Sequence, residues 1–356
     1  MSQDGHNLGR VSGGSGGPPV QLGRRSFLKV AGAVGGVVVF APILAACGSS
    51  TKTTATGGKE GAGKTIGISL NVSNAYSSYV AEGVYQALDG TGYTVRTVAN
   101  NAESSTELAN VQNLLSAGIA GLVMLPVSAD TASKTAQLCA QRNVAFVVAQ
   151  WPVKTPQKDF TAAAWADWTE KGRQMGDYVK SHARPGNVIV VQAILGQQYS
   201  ELIDDGLNQS LAGTPYKIVV RDQGFYDRTK ATNIVQTGLR AHPDATAVIT
   251  YAASMGDGVA QYLQSINKTD VTHITSDCDE ELLTWLKTPY CNAAAFHSAA
   301  QSGLLVARAL RTKLAGGQPT YLNVLDQAIV TSANVDSVVQ KTPFQYPAFA
   351  SKVSHN

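Results

Sequence analysis

The sequence has few of the residues that build metal centres and catalytic sites. Its 356 residues include four cysteines and six histidines. No Cys-x-x-Cys pair occurs, and no two histidines have the H-x-x-x-H spacing that lets one helix face bind a metal. No nucleophile, base and orienting group form a recognisable pattern. We therefore expect no metal, no cofactor and no catalytic residue.

Charged residues are also scarce, at 15% of the chain, with a formal net charge of +3. The excess lies near the start, where residues 1–46 carry four basic side chains against Asp4 alone. The rest of the chain is balanced, with 24 basic and 24 acidic residues. Nucleic-acid binding needs clustered Lys and Arg, so we expect no nucleic-acid partner.

The chain also lacks an apolar run that is long enough for a membrane span. Its longest, Val30 to Ala46, is short and rich in glycine. It follows Arg24-Arg25-Ser26-Phe27-Leu28-Lys29, and a charged segment before an apolar one is typical of an export signal. The paired arginines resemble the twin-arginine export consensus.

The apolar run ends in Leu44-Ala45-Ala46-Cys47, which resembles a bacterial lipobox. This resemblance implies that residues 1–46 are a twin-arginine lipoprotein signal peptide and that Cys47 carries the lipid. The protein would then be anchored on the extracytoplasmic face of the cell membrane. Residues 47–64, rich in Gly, Ser, Thr and Lys, are expected to be a flexible tether. The alternative is an uncleaved N-terminal helix with a chance cysteine.

Behind the tether, strand and helix patterns alternate. Thr65 to Leu70 predicts a buried strand, a polar loop follows, and the apolar residues from Tyr79 to Leu88 recur at helical spacing. The alternation gives four strands up to Gln150 and a second series from a helix at Thr169 to a strand ending at Ser276. It predicts an α/β fold with two doubly wound parallel sheets. The stretch from Trp151 to Trp168 is the candidate crossing between them.

The order of these segments resembles the type I periplasmic binding proteins of the ribose-binding type, from Lys64 to about Asp336. Asn74 and Tyr76 match the Asn and the aromatic residue of that family's first loop. The sequence RAHPD at residues 240–244 matches its helix-ending His-Pro-Asp turn, and IGISL, GLVMLP and HITSDCDEELL stand in the family's order.

The resemblance implies two lobes, each discontinuous in sequence, with a ligand cleft between them. Residues 65–168 plus 297–325 would form the N-terminal lobe, and residues 169–296 plus 326–349 the C-terminal lobe. Proteins of this family close on a hinge over a small polar ligand, such as a sugar or polyol, and deliver it to an ABC permease. We expect a monomer.

The family's ligand residues carry over one position at a time. Asn74 and Tyr76 would supply a hydrogen-bond donor and an aromatic wall. Asp277 would be the acidic residue that accepts from ligand hydroxyls. Gln150 stands where the family usually has Asp, and His297 where it usually has Gln.

Two further positions depart from the family. Ile203 stands where an Arg is expected, and Ala252 where an Asn is expected. Charged planar side chains make strong paired bonds to neighbouring hydroxyls. Because the Arg is lost together with the Asp that Gln150 replaces, the pocket stays near neutral, which predicts an uncharged hydroxylated ligand.

Further aromatic residues are candidates for ligand contact, because aromatic faces stack on the C–H faces of sugars and polyols. For each of them, packing in the core of a lobe is the alternative. They are Trp151, Trp168, Tyr226 and Tyr251; Tyr199 ranks below them.

Three cysteines follow Cys47. Cys139 lies among apolar neighbours on a predicted helix, where a thiol acts as a small buried group. Cys278 and Cys291 flank another predicted helix in a protein whose export permits disulfides. We expect these two residues at opposite ends of neighbouring strands, which is unfavourable for a disulfide. A disulfide and a pair of free thiols therefore both remain as alternatives.

Two other function classes share the predicted fold. A ligand sensor that signals to a membrane receptor has the same sequence features, and a neighbouring permease gene would distinguish the two. A secreted α/β enzyme is the third class, and reproducible turnover would support it. A transcription regulator is disfavoured, because the leader occupies the place of a DNA-binding headpiece.

Overall fold

The computed structural model describes residues 59–150 and 157–353, and it contains two parallel-sheet units. The central strands of the first sheet are almost wholly buried, as expected for strands that helices cover on both faces. In sheet order they are β11 (Leu322–Val324), β5 (Ala162–Trp165), β4 (Ala145–Val148), β3 (Gly121–Leu125), β1 (Thr65–Leu70) and β2 (Thr94–Ala99).

The second sheet repeats this arrangement. Its strands in order are β12 (Ala328–Val330), β10 (Ala293–Phe296), β9 (Thr272–Ser276), β8 (Ala247–Thr250), β6 (Asn187–Gln192) and β7 (Lys217–Gln223). All pairings are parallel except the one between β10 and β12. The predicted α/β fold with two doubly wound sheets is therefore confirmed.

The helices cover the faces of the two sheets. Those of the first lobe are α1 (Ala75–Leu88), α2 (Ser104–Ser116), α3 (Ala129–Gln141) and α9 (Ala299–Leu314). Those of the second are α4 (Trp168–His182), α5 (Tyr199–Leu211), α6 (Arg228–Ala241), α7 (Ala253–Ser265), α8 (Glu280–Trp285) and α10 (Val335–Lys341).

Within the described residues, the chain passes between the sheets at three places: after β5, after β10 and between β11 and β12. Strand β5 lies within the stretch that the sequence assigned to a connection. Its sequence, Ala162-Ala163-Ala164-Trp165, has none of the β-branched residues that mark strands, yet it pairs with both β4 and β11.

The end of the described chain differs from the expected lobe boundary. Residues up to 349 were assigned to the C-terminal lobe, but the chain returns to the first lobe after α10. The ring of Phe344 packs edge-on against Tyr79 of α1, with centroids 5.3 Å apart. The backbone N–H of Tyr346 donates to Glu82 Oε2 at 2.7 Å, and the last helix, α11 (Ala350–Val353), contacts α1.

In each lobe, one pair of helices packs through glycines. A Cβ on Gly83 of α1 would overlap the carbonyl oxygen of Ala300 in α9, and a Cβ on Gly303 would overlap that of Val80. In the second lobe, a Cβ on Gly206 of α5 would overlap the carbonyl oxygen of Thr169 in α4. These contacts bring the helix backbones together in both lobes.

The described cysteines are free thiols. Cys139, Cys278 and Cys291 are all buried, and no bridge joins the last two. Burial raises the pKa of Cys139 to about 12, so this thiol acts as a small apolar group. Cys47 lies outside the described residues. Within the described ranges, no helix is both long and apolar enough to cross a membrane.

Candidate ligand-binding site

A cleft lies between the carboxyl ends of the two sheets, where open α/β sheets bind their ligands. It encloses ≈ 890 Å³, including solvent at its open side. The structure brings six of the predicted residues to its wall. These are Asn74, Tyr76, Gln150, Trp168, Tyr226 and Asp277.

Two predicted residues do not line the cleft. Tyr251 is fully buried in the second lobe, where its hydroxyl donates to Asp204 Oδ1 at 2.5 Å. His297 lies behind Tyr76, with its Nε2 atom 2.7 Å from the Tyr76 hydroxyl oxygen. Tyr251 therefore has a packing role, and His297 acts through its neighbours. Trp151 lies outside the described residues.

The position assigned to the lost Arg is also not in the wall. Ile203 is fully buried on α5, where its carbonyl lies against Gly172 of α4. A side chain at this position packs between helices, so Ile203 does not determine the charge of the cleft. Ala252, assigned to the lost Asn, does line it.

The cation beside the cleft is Lys171, a residue that the sequence interpretation did not consider. Its side chain is 1% exposed, and Nζ lies 2.9 Å from Asp277 Oδ1 and 3.2 Å from Ser276 Oγ. Burial lowers the pKa of Lys171, and the attraction of Asp277 opposes this shift. The pair leaves this end of the cleft without net charge.

His297 connects this pair to Tyr76. Lys171 Nζ is 2.6 Å from His297 Nδ1. Burial, and then the positive charge of Lys171, holds the pKa of His297 well below its usual range, so the imidazole is neutral. Because the ammonium group can only donate, Nδ1 accepts and the ring proton sits on Nε2. Nε2 then donates to the Tyr76 oxygen, which leaves the Tyr76 hydroxyl proton available.

The loops that carry the cleft residues use an unusual backbone conformation. Gln150, Tyr226 and Asp277 have φ of 54°, 58° and 68°, and Gln198 beside the cleft has 62°. Left-handed φ is uncommon for residues other than glycine and costs about 1–2 kcal/mol each. The fold thus holds these strand ends in conformations that turn their side chains to the cleft.

Two buried donors in the cleft have no partner among the described residues. They are Nε2 of Gln150 and Nε1 of Trp168. A buried donor without an acceptor destabilises the protein by about 1–3 kcal/mol, so such groups are normally satisfied. Because both side chains belong to the wall of the cleft, we treat these two donors as candidates for bonds to a ligand.

Tyr199 also lines the cleft, although the sequence ranked it low. Its ring packs edge-on against Trp168, with centroids 4.8 Å apart. Its hydroxyl donates to the carbonyl of Tyr251 at 2.6 Å and lies 2.8 Å from Ser276 Oγ. Tyr199 is the first residue of α5, and a loop connects it to the carboxyl end of β6. This position after a strand end is the one sequence signal that could have indicated a role in the site.

A hydrogen bond between Gln197 and Val127 joins the lobes across the cleft. Gln197 of the second lobe donates from Nε2 to the carbonyl oxygen of Val127 at 3.1 Å. The Tyr226 hydroxyl donates to Gln197 Oε1 at 2.8 Å. On the first lobe, the N–H of Val127 donates to both carboxylate oxygens of buried Glu107, at 3.1 and 3.0 Å. We call this chain of bonds the latch.

Comparison with known proteins gives the family. Residues 66–318, more than half of the chain, match the family described as periplasmic binding protein domain. The chain belongs to this family. The resemblance inferred from the first loop and the segment order is thereby confirmed.

Two relatives show the extent of the similarity. The ribose import binding protein RbsB of Escherichia coli (strain K12) is 26% identical over 207 residues, which cover 58% of this chain and 69% of the relative. The xylitol-binding protein of Mycolicibacterium smegmatis is 22% identical over 289 residues, 78% of this chain and 80% of the relative.

Solved structures share the type I periplasmic binding protein fold. A solute-binding protein of an ABC transporter from Mycobacterium smegmatis, with bound glycerol, superposes with a TM-score of 0.72 at 21% identity, covering 80% of this chain and 100% of the other. One from Bacillus halodurans C-125, with bound myo-inositol, gives 0.70 at 17% identity, covering 80% and 100%.

Proposed function

We propose that this periplasmic binding protein captures an uncharged sugar or polyol and delivers it to an ABC importer. The observation that carries the proposal is the cleft, where two unpartnered buried donors and a carboxylate lie beside aromatic rings. Hydroxyl groups can accept from Gln150 and Trp168 and donate to Asp277. Aromatic rings pack on the C–H faces of the same ligand.

The charge distribution supports an uncharged ligand. Asp277 is compensated by Lys171 at 2.9 Å, so a cationic ligand would compete with a buried ammonium group. An anionic ligand would meet Asp277 and Asp279, which both line the cleft. Neutral hydroxylated molecules avoid both costs.

The relatives support this ligand class and a binding role rather than catalysis. Two of them are named for ribose import and for binding xylitol. Related structures contain glycerol and myo-inositol. Each of these is a small neutral molecule with several hydroxyl groups.

We further propose that the protein acts as a monomer on the extracytoplasmic face of the membrane, anchored by a lipid on Cys47. The support is the sequence Leu44-Ala45-Ala46-Cys47 behind the paired arginines. The structure shortens the expected tether of residues 47–64, because Glu60 pairs with Arg311 at 2.6 Å and the Gly61 N–H donates to the carbonyl of Thr91 at 2.9 Å. A tether that ends before Glu60 would let the binding lobes reach a permease. Mass spectrometry of the N-terminus of membrane-derived protein tests the anchor.

A thermal-shift screen tests the ligand class. Binding to the native state alone raises Tm, and the rise grows with the ratio of free ligand to Kd, so sugars and polyols should stabilise the protein. Amino acids, amines and carboxylic acids of similar size serve as charged controls. The proposal fails if no hydroxylated compound shifts Tm, or if only charged compounds do.

A further inference from the structure

Lys171 sets the direction of the hydrogen bonds around it. An ammonium group has three N–H donors and no acceptor. Three acceptors lie within reach of Nζ: Asp277 Oδ1 at 2.9 Å, Ser276 Oγ at 3.2 Å and His297 Nδ1 at 2.6 Å. Because the Lys171 side chain is 1% exposed, these protein atoms rather than bulk water satisfy its donors. Each acceptor that carries a proton of its own must therefore direct that proton away from Lys171.

One branch of this network ends inside the protein. Ser276 Oγ accepts from Lys171, so its own proton points to the Tyr199 oxygen at 2.8 Å. Tyr199 in turn donates to the carbonyl of Tyr251 at 2.6 Å. The hydroxyl proton of Tyr199 is therefore bound to a protein acceptor and is not offered to a ligand.

The other branch ends at the cleft. His297 Nδ1 accepts from Lys171, so the proton of the neutral ring is on Nε2, which lies 2.7 Å from the Tyr76 oxygen. Nε2 donates to that oxygen, and the hydroxyl proton of Tyr76 must point elsewhere. Among the residues that the structure describes, the Tyr76 hydroxyl has no second hydrogen-bond partner. Since Tyr76 lines the cleft, its proton is available to a ligand there.

The surroundings of His297 oppose the reverse direction. Asp277 Oδ1 lies 3.2 Å from Nδ1 and could accept a proton from it. A proton on Nδ1 would, however, put two donors 2.6 Å apart, because Lys171 Nζ is the nearer neighbour. The His297 side chain is fully buried, and the rings of Trp168 and Tyr76 pack edge-on against it at 5.0 and 6.0 Å. This packing keeps Nδ1 on the Lys171 side and Nε2 on the Tyr76 side.

From this polarity we infer that the Tyr76 hydroxyl donates a hydrogen bond to an oxygen atom of the ligand, and that Lys171 and His297 are positioning residues that direct its proton without touching the ligand. The inference deepens the proposed function and rests on it. It adds a hydrogen-bond donor to the aromatic wall expected of Tyr76. Because the proton is directed before the ligand arrives, binding loses less rotational freedom at this bond.

Nitrogen NMR of the ligand-free wild-type protein tests the network. With ¹⁵N-labelled histidine, the His297→Gln variant identifies the two His297 signals by their loss. We expect a protonated Nε2 and an unprotonated, hydrogen-bonded Nδ1 at neutral pH. A proton on Nδ1, or on both nitrogens, overturns the inference. This measurement needs no ligand, so its outcome does not depend on the proposed function.

Calorimetric titration with D-ribose, xylitol, glycerol and myo-inositol tests the donor. For a probe that binds, Tyr76→Phe should lower the affinity about three- to tenfold, because one neutral hydrogen bond is lost. Glutamine at position 297 can accept from Lys171 through Oε1 and donate to Tyr76 through Nε2. His297→Gln should therefore bind within about twofold of wild type, and His297→Leu as weakly as Tyr76→Phe. Equal loss in the Gln and Leu variants would show that ring shape, not polarity, matters.

A spectroscopic signal separates donation to the ligand from a structural bond between Tyr76 and His297. Donation draws the proton from the oxygen, so the ¹³Cζ signal of Tyr76, assigned through Tyr76→Phe, should move downfield when the probe binds. It should do so in wild type and in His297→Gln. A signal that stays in place on binding contradicts the inference.

His182→Gln is the matched control, because His182 is exposed at the end of α4 and does not line the cleft. It should bind as wild type does. The outcomes also separate this inference from the proposed function. If a probe binds and Tyr76→Phe binds it equally well, only the inference fails. If none of the four probes binds and no other sugar or polyol shifts Tm, both fail.

Discussion

Lys171 decides the electrostatics of the cleft at the scale of single residues. It lies on the buried stripe of α4, between Trp168 and Met175. A lysine at helical spacing among apolar residues is a visible signal in the sequence. Its partners are not visible, because Asp277 and His297 are 106 and 126 residues away along the chain. The sequence could place Asp277 at a strand end but could not show that a buried cation pairs with it.

This pairing determines how Asp277 should be tested. Asp277→Ala would leave Lys171 buried without its partner and would destabilise the fold as well as the site. Asp277→Asn also removes the countercharge of Lys171, but its amide oxygen can still accept from Lys171 Nζ, and Asn tolerates the left-handed φ of 68°. We expect Asp277→Asn to weaken binding of a sugar or polyol found by screening by about 1.5–3 kcal/mol, because a charged acceptor is lost.

Calorimetric titration measures this effect, and Asp205→Asn is the control, since Asp205 is exposed on α5 and does not line the cleft. The control should bind as wild type does. An affinity of Asp277→Asn within about twofold of wild type would remove Asp277 from the site.

Glu107 gives a pH prediction. Burial raises the pKa of Glu107 from the ordinary value of 4.5 to about 7. Between these two pH values the native state therefore holds a proton that the unfolded state has lost. Stability from this group is present below pH 4.5 and is lost as the pH rises to about 7. The change amounts to roughly 3 kcal/mol.

Glu107→Gln removes this titration while it keeps an acceptor for the Val127 N–H. Relative to wild type, the variant should therefore gain roughly 3 kcal/mol between pH 4.5 and pH 8. Urea unfolding at the two pH values measures the gain. Asp257, whose pKa burial raises to about 8, acts equally in both proteins and cancels. A constant difference between variant and wild type would contradict the prediction.

At the scale of helices and strands, eight of the twelve strands in the described residues were readable from the sequence, and β5, β10, β11 and β12 were not. Long runs such as β1 and α1 have clear apolar periodicity. The structure gives β1 the predicted bounds, but α1 begins at Ala75, within the stretch that was assigned to the polar loop. Strand β5 was missed because its alanines carry no strand preference and its pairing partners β4 and β11 decide its conformation. The return of the chain to α1 was missed because it depends on Phe344 and Tyr346 finding distant partners.

The glycine contact between α1 and α9 yields an element-scale prediction. Gly83→Ala would place a Cβ against the carbonyl oxygen of Ala300 and force the two backbones apart. We expect a loss of about 1–3 kcal/mol in the free energy of unfolding, despite the higher helix propensity of alanine. Gln86→Ala, at an exposed position of the same helix, should change stability by less than about 0.5 kcal/mol. Equal effects of the two substitutions in urea unfolding would show that the helices have room at this contact.

At the scale of the whole binding unit, we expect the latch to couple closure to ligand release. Gln197 contacts Tyr226 on its own lobe and Val127 on the other, so the bond to Val127 exists only when the lobes meet. Glu107 holds the Val127 backbone in place from within the first lobe. Sequence reasoning predicted hinged closure from the family but could not name this bond, since its partners are 70 residues apart and one of them is a carbonyl oxygen.

Gln197→Ala should therefore act on ligand release. Removing a bond that forms only on closure destabilises the closed state and leaves the open state, which the ligand enters, unchanged. With about 0.5–1.5 kcal/mol for one hydrogen bond, the dissociation rate constant should rise about two- to tenfold while the association rate constant stays within about twofold. Stopped-flow fluorescence, using Trp168 in the cleft wall as reporter, measures both constants. Gln261→Ala, at an exposed position of α7, is the control and should release ligand at the wild-type rate. If Gln197→Ala slowed association instead and left dissociation unchanged, Gln197 would act on ligand entry and the latch would not control release.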